Sequence, residues 1–184
     1  SLTALVILRD ILKLAKARAE IKKIIKDNVE VNGKKINYET YPVQLFDVLN
    51  IVKINKHYRL TFTNNGKLTV KEISAAESKK KVCKVIGKKV LKGKKIQINL
   101  DDGRNSIYSE GEVNDSAVID LKQNKIEKIL KVREKANVMV INGKKTGHIG
   151  IINKIEGEGK KRMVYIKIEK NEIKASIKNI IILE

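Results

Sequence analysis

From about residue 50 onward the apolar side chains recur at every second position, in short runs separated by turn signals. Tyr58, Leu60 and Phe62 alternate with Arg59 and Thr61, Asn64-Asn65-Gly66 turns the chain, and Leu68 and Val70 follow. Ile96, Ile98 and Leu100 alternate with Gln97 and Asn99 and stop at Asp102-Gly103. Val138 and Val140 lead into Asn142-Gly143, and Val164, Ile166 and Ile168 alternate with Tyr165 and Lys167. A strand sends successive side chains to opposite faces, so this period describes half-buried strands. Asn-Gly and Asp-Gly supply the positive φ angles that tight hairpins need. Short strands with a turn signal roughly every 8 to 12 residues predict small antiparallel barrels or sandwiches.

The first 49 residues follow another period. Leu5, Leu8, Ile11, Leu12 and Ala15 recur at steps of three and four, which predicts a helix over 5–15. A second helix is predicted over 18–26, with Ile21, Ile24 and Ile25 on its apolar side. Arg18, Lys22 and Lys26 stand at i, i+4 and i+8 and form a row on another face. Such a row costs a helix about a few tenths of a kcal/mol per pair, a cost that an anionic ligand removes. Asn28 is the candidate for left-handed closure of that helix, and Val29-Glu30-Val31 reads as a strand entering the Asn32-Gly33 turn. The expected class is α+β, a small helical head over 1–49 followed by β modules over 50–135 and 136–184.

Charge narrows the function. The 184 residues carry 40 Lys plus Arg against 21 Asp plus Glu, a net of +19. Self-repulsion of that size opposes compaction, and a polyanionic partner relieves it. Disorder is excluded by the 42% apolar content, the 28 isoleucines and the single proline. Residues 1–49 hold 9 basic and 6 acidic side chains, 50–135 hold 21 and 10, and 136–184 hold 10 and 5. Within the middle segment, residues 79–95 carry nine lysines and no carboxylate, interleaved with Val82, Val85, Ile86, Val90 and Leu91. That tract nominates Lys84, Lys88, Lys89, Lys92, Lys94 and Lys95 as phosphate contacts. RNA is favoured over DNA, because no long recognition helix is visible and small basic β modules suit irregular RNA shapes. With seven Phe and Tyr and no Trp, base stacking on an aromatic platform is not expected to dominate.

Catalysis is not expected. Asp101-Asp102 is the only adjacent acidic pair, and Asp102-Gly103 reads as a hairpin tip. Cys83 excludes an intrachain disulfide because it stands alone, and its alternating apolar surroundings make it a buried, inert thiol. His57 and His148 are too few and too far apart in sequence to build a zinc site with it. There is no phosphate-binding loop and no dinucleotide fingerprint, so no cofactor and no metal are expected. The longest early apolar run, from Ala4 to Leu8, is too short for a signal core or a membrane span, and a cytoplasmic location is the expectation.

Three blocks of sequence carry a resemblance. Leu8-Arg9-Asp10-Ile11-Leu12-Lys13-Leu14-Ala15, Arg18-Ala19-Glu20, Lys22-Lys23-Ile24, Val29-Glu30-Val31-Asn32-Gly33-Lys34 and Tyr41-Pro42-Val43 together resemble the α-L type of RNA-binding domain. Cys83-Lys84-Val85, Gly87-Lys88-Lys89-Val90, Lys92-Gly93, Ile96-Gln97-Ile98-Asn99-Leu100 and Asp102-Gly103-Arg104-Asn105 resemble the central domain of one ribosomal family. Gly143-Lys144-Lys145 with Gly147-His148-Ile149-Gly150 is similar to the KOW motif. In this order the blocks resemble the archaeal and eukaryotic small-subunit ribosomal protein family S4e. Two departures accompany it. The family has a basic N-terminal arm ahead of the α-L domain, whereas this chain starts at the domain with Ser1, so the arm is expected to be removed or absent. Asp27-Asn28 also stands where the family has a glycine.

The resemblance implies a structural and assembly component that binds small-subunit rRNA, beside other ribosomal proteins, with no small-molecule substrate, membrane or catalysis, and monomeric when isolated. It implies an SH3-like last barrel and an RNA-gripping face at Lys13, Lys16, Arg18, Lys22 and Lys26, with Lys34 and Lys35 as additions. Arg104 is expected to fork onto a phosphate. Asn105 either bonds a sugar or base edge or merely closes the turn. Lys144, Lys145 and His148 are candidates around glycines 143, 147 and 150, which allow tight turns and close backbone approach. Arg18→Glu with Lys22→Glu is expected to weaken RNA binding and leave the fold intact. The rival reading is a translation or transcription factor whose KOW module holds a protein partner.

Overall fold

The computed structural model describes residues 1–159, 162–169 and 171–183, with all their side chains except those of Asp27 and Lys94. The chain forms two compact units, one of Ser1–Phe62, Leu68–Lys81 and Asp120–Asn124, the other of Thr63–Lys67, Val82–Ile119 and Lys125–Glu184. The class is α+β with strands dominant and paired antiparallel wherever register is resolved.

In the first unit the order is β1 (Leu2–Thr3), α1 (Ala4–Val6) running on as a π turn (Ile7–Ile11), then α2 (Arg18–Asn28). Strands β2 (Val29–Val31), β3 (Lys34–Lys35), β4 (Pro42–Val43), β5 (Val48–Ile51), β6 (Lys56–Phe62) and β7 (Leu68–Ile73) follow. β1 pairs with β4, and the others form one sheet in the order β3-β2-β5-β6-β7, so its hydrogen bonding runs past residue 50. The core beneath it holds Ile7, Leu8, Ile21, Ile25, Val31 and Leu60.

The helix expected over 5–15 is α-helical only at its start. The Leu12 amide reaches back to the Ile7 carbonyl at 2.9 Å and Leu14 to Leu8 at 2.9 Å, and Lys13 turns the chain at φ 53. The fully buried residues are Ala4, Ile7 and Leu8, at i, i+3 and i+4, so Ile7, which lies off the expected stripe, joins the core. Leu5, Ile11, Leu12 and Ala15 are left only partly covered. α2 forms as expected, with Ile21 and Ile25 buried and the Glu20 carboxylate accepting the Ala17 amide at 3.3 Å. Asn28, however, stays helical, and Val29 passes straight into extended backbone at φ −123. The left-handed pair is instead Asn32 (φ 52) and Gly33 (φ 76), the two positive angles of a tight hairpin turn.

The strands from residue 80 onward are β8 (Lys80–Val90), β9 (Ile96–Leu100), β10 (Asn105–Ile107), β11 (Ser116–Asp120) and β12 (Lys125–Leu130). They form a sheet in the order β10-β9-β8-β11-β12 over a core of Cys83, Val85, Ile98, Leu100, Ala117 and Ile119. A bulge between Val85 and Gly87 resets the register of β8 on β9. The last strands are β13 (Asn137–Val140), β14 (Ile149–Glu156), β15 (Met163–Ile168), β16 (Asn171–Ser176) and β17 (Ile180–Ile182). Four run as a meander, a 3-10 turn over Ile177–Asn179 follows, and β17 returns to pair with β13, an SH3-like order. At Gly150 a Cβ would strike the Lys167 carbonyl and the Ile166 side chain, so β14 and β15 approach at a distance only glycine allows.

Candidate nucleic-acid interface

On the first unit the helical row is exposed but not free of anions. The Arg18 guanidinium donates to Glu39 Oε1 at 2.9 and 2.6 Å, and Lys22 Nζ lies 3.5 Å from the same oxygen. Glu39 is buried, and its own backbone amide and the Arg18 hydrogen bond hold its carboxyl below the usual carboxylate range. Arg18 and Lys22 are each 59% exposed, so they are positioned by Glu39 and still face solvent. Glu39 thereby cancels one of their two charges. It also corrects the expected neutrality of Arg18→Glu with Lys22→Glu for the fold, because that pair would place three carboxylates together. Lys13, Lys16, Lys26, Lys34 and Lys35 are exposed. Among the described residues none of the five takes part in an ion pair, so their charges stay open to an anion.

On the second unit Lys88, Lys89, Lys92 and Lys95 are exposed. The Lys94 side chain lies outside the described residues. Lys84 is a correction: it is 5% exposed and cannot meet a phosphate. Its ammonium donates to the carbonyls of Ile177 (2.9 Å), Lys178 (2.8 Å) and Ile180 (2.6 Å), the three groups left open where the 3-10 turn enters β17. Burial lowers its pKa to about 8, while Asp101 opposes the shift. Sequence spacing shows that Lys84 lies in a basic tract but not that three carbonyls stand opposite it.

Arg104 is half-exposed and sits 3.2 Å from Asp102, whose other oxygen accepts the Arg104 amide at 3.1 Å. Asp102 thus organises the hairpin tip, as expected, and moderates the charge of Arg104. Asn105 is exposed on β10. Lys144 and Lys145 are exposed, and His148 is half-buried with Nδ1 3.0 Å from the Lys145 carbonyl. Gly143 (φ 99) and Gly147 (φ 90) make the turns of that loop. Cys83 is buried, with Sγ 3.3 Å from Asp102. Among the described residues no group of three His, Cys, Asp or Glu is placed to hold a metal ion, and no helix is long and apolar enough to cross a membrane.

One basic surface escaped the sequence reading. Lys128, Lys131, Arg133 and Lys135 line an open groove of about 740 Å³ beside β13 and β17. Its signal is a basic residue at every second or third position, which a search for adjacent lysines passes over.

Comparison with known proteins places this geometry. The model of ribosomal family S4e matches residues 54–126. The small ribosomal subunit protein eS4 of Methanocella arvoryzae is 37% identical over 82% of this chain and 64% of its own length. Its counterpart in Methanococcus vannielii is 32% identical over 91% of this chain and 71% of its own. The crystal structure of the 30S ribosomal protein S4e from Thermoplasma acidophilum superposes with a TM-score of 0.83 at 25% identity, covering 99% of this chain and 94% of that one. The chain spans about two thirds of the length of the curated relatives it matches. On these similarities the chain belongs to ribosomal family S4e.

Proposed function

We propose that this chain is a non-enzymatic component of the small ribosomal subunit in the cytoplasm, holding rRNA through separate basic surfaces along segments 1–49, 50–135 and 136–184. The family model, at residues 54–126, falls within the middle segment. The observation that carries the reading is the tract over 79–95, which has nine lysines and no carboxylate. Its second half presents Lys88, Lys89, Lys92 and Lys95 to solvent. Exposed lysines without carboxylate partners recruit phosphates by releasing condensed counterions, which contributes roughly −0.7 to −0.9 to the log-log salt slope per contact. Exposed Ile149 (50%) and Ile151 (49%) on β14 favour a protein neighbour for the last sheet.

Co-sedimentation of the full chain with small ribosomal subunits through a high-salt wash tests the reading. An integral component stays with the particle. Release at a salt concentration that leaves known integral proteins bound would favour a loosely associated factor instead.

A further inference from the structure

The register of the middle sheet assembles a surface that lysine counting does not find. Asn99 on β9 is opposite Asn105 on β10 and Gly87 on β8, while Gln97 is opposite Ile107 and Lys89. Directly paired residues share a face, so these six side positions form two adjacent rows. The opposite face carries Ile98 and Leu100, both buried in the core, which leaves the two rows facing outward.

This face is built largely from uncharged polar groups. The chain is 33% charged, yet β9 and β10 contain no charged residue. Outward positions on some other strands are taken by ions, such as Lys71 and Glu72 on β7 or Glu172 and Lys174 on β16. Here they are taken by amides and by Ile107, which is 62% exposed. The Gln97 side-chain amide donates to Asn99 Oδ1 at 3.0 Å, which fixes both groups. Gln97 Oε1 and Asn99 Nδ2 remain as an acceptor beside a donor. Gly87 makes the floor flat at this point: a Cβ there would come within 3.3 Å of Asn99 Nδ2. Lys89 is exposed within these rows and Lys92 and Lys95 on the turn that follows, whereas Lys88 pairs with Ile98 and belongs to the other face.

We infer that this amide face of β8, β9 and β10 binds unpaired RNA nucleotides and reads their base edges. An adjacent amide donor and acceptor matches the hydrogen-bonding edge of a base, which a paired helix hides and a loop or bulge presents. Ile107 offers an apolar surface for a base ring, and the flanking lysines take the phosphates, which position the strand without reading it. The inference rests on the RNA-binding function proposed above and adds the class of RNA and the reading residues.

The test is fluorescence anisotropy of the full chain with short single-stranded homopolymers of A, C, G and U and with a short paired RNA duplex, across a salt series. The wild type is expected to separate the best and worst homopolymers by roughly tenfold, the discrimination of one good two-point base contact. Gln97→Ala with Asn99→Ala collapses that spread and leaves duplex affinity and the salt slope unchanged. Asn105→Ala, on the edge strand, narrows the same spread by a smaller factor and guards against misfolding of the double variant, whose thermal unfolding is compared with that of the wild type. Equal binding of all homopolymers and the duplex by the wild type overturns the inference, as does a spread that survives in both variants. Steep salt-dependent binding without base preference removes this inference alone, whereas no binding to any RNA removes the proposed function as well.

Discussion

Lys84 has the same charge as Lys88 and Lys89, which are exposed, and is itself buried. An ammonium has three donors, and the carbonyls of Ile177, Lys178 and Ile180 take all three. Lys84→Met fills similar space and leaves those buried acceptors unpaired, so it should lower stability by about 2–3 kcal/mol at neutral pH in urea unfolding. The pH dependence follows from a folded pKa of about 8 against 10.5 for the ordinary lysine. Between those values the unfolded chain binds the proton that the folded chain has released, so stability from this group rises with pH. The advantage of the wild type over Lys84→Met should therefore widen, on the order of 2 kcal/mol, between about pH 7.5 and pH 10. A gap that narrows over that range would show that the charged form is the one the fold prefers.

At the scale of the element, α2 shows what a helical row of cations can and cannot promise. The spacing of Arg18, Lys22 and Lys26 is legible in the sequence, but Glu39 is 21 residues from Arg18 and enters only through tertiary contact. The variants that probe the exposed charge without disturbing Glu39 are Lys16→Glu and Lys26→Glu. Together they should weaken binding of the full chain to small-subunit rRNA and flatten its log-log salt slope by about 1 to 2, with unchanged thermal unfolding. An unchanged slope would remove this face from the interface. The hairpins at Asn32-Gly33, Asn64-Asn65-Gly66 and Asp102-Gly103 were legible because a turn is decided by its own few residues. The π turn over Ile7–Ile11 was not, since its apolar residues fit a regular helix equally well.

Across the whole molecule, a net charge of +19 acts in two opposite directions with salt. Screening relieves self-repulsion in the free chain and weakens its hold on a polyanion. The thermal midpoint of the free protein should rise between low and moderate ionic strength while its RNA affinity falls, measured on one preparation by calorimetry and anisotropy. A midpoint that falls with salt would mean that ion pairs such as Arg18–Glu39 and Lys81–Asp47, rather than repulsion, dominate the charge balance. By itself the sequence determined the strands from about residue 50 onward, the hairpin turns, α2 and the burial of Cys83, because periodicity and turn chemistry are properties of neighbours along the chain. The tertiary structure alone decided that Lys84 turns inward, that Arg18 shares its charge with Glu39, and that Gln97, Asn99 and Asn105 meet on one face. Each of those depends on what stands opposite a residue across a sheet or a core, and separation along the chain does not encode that distance.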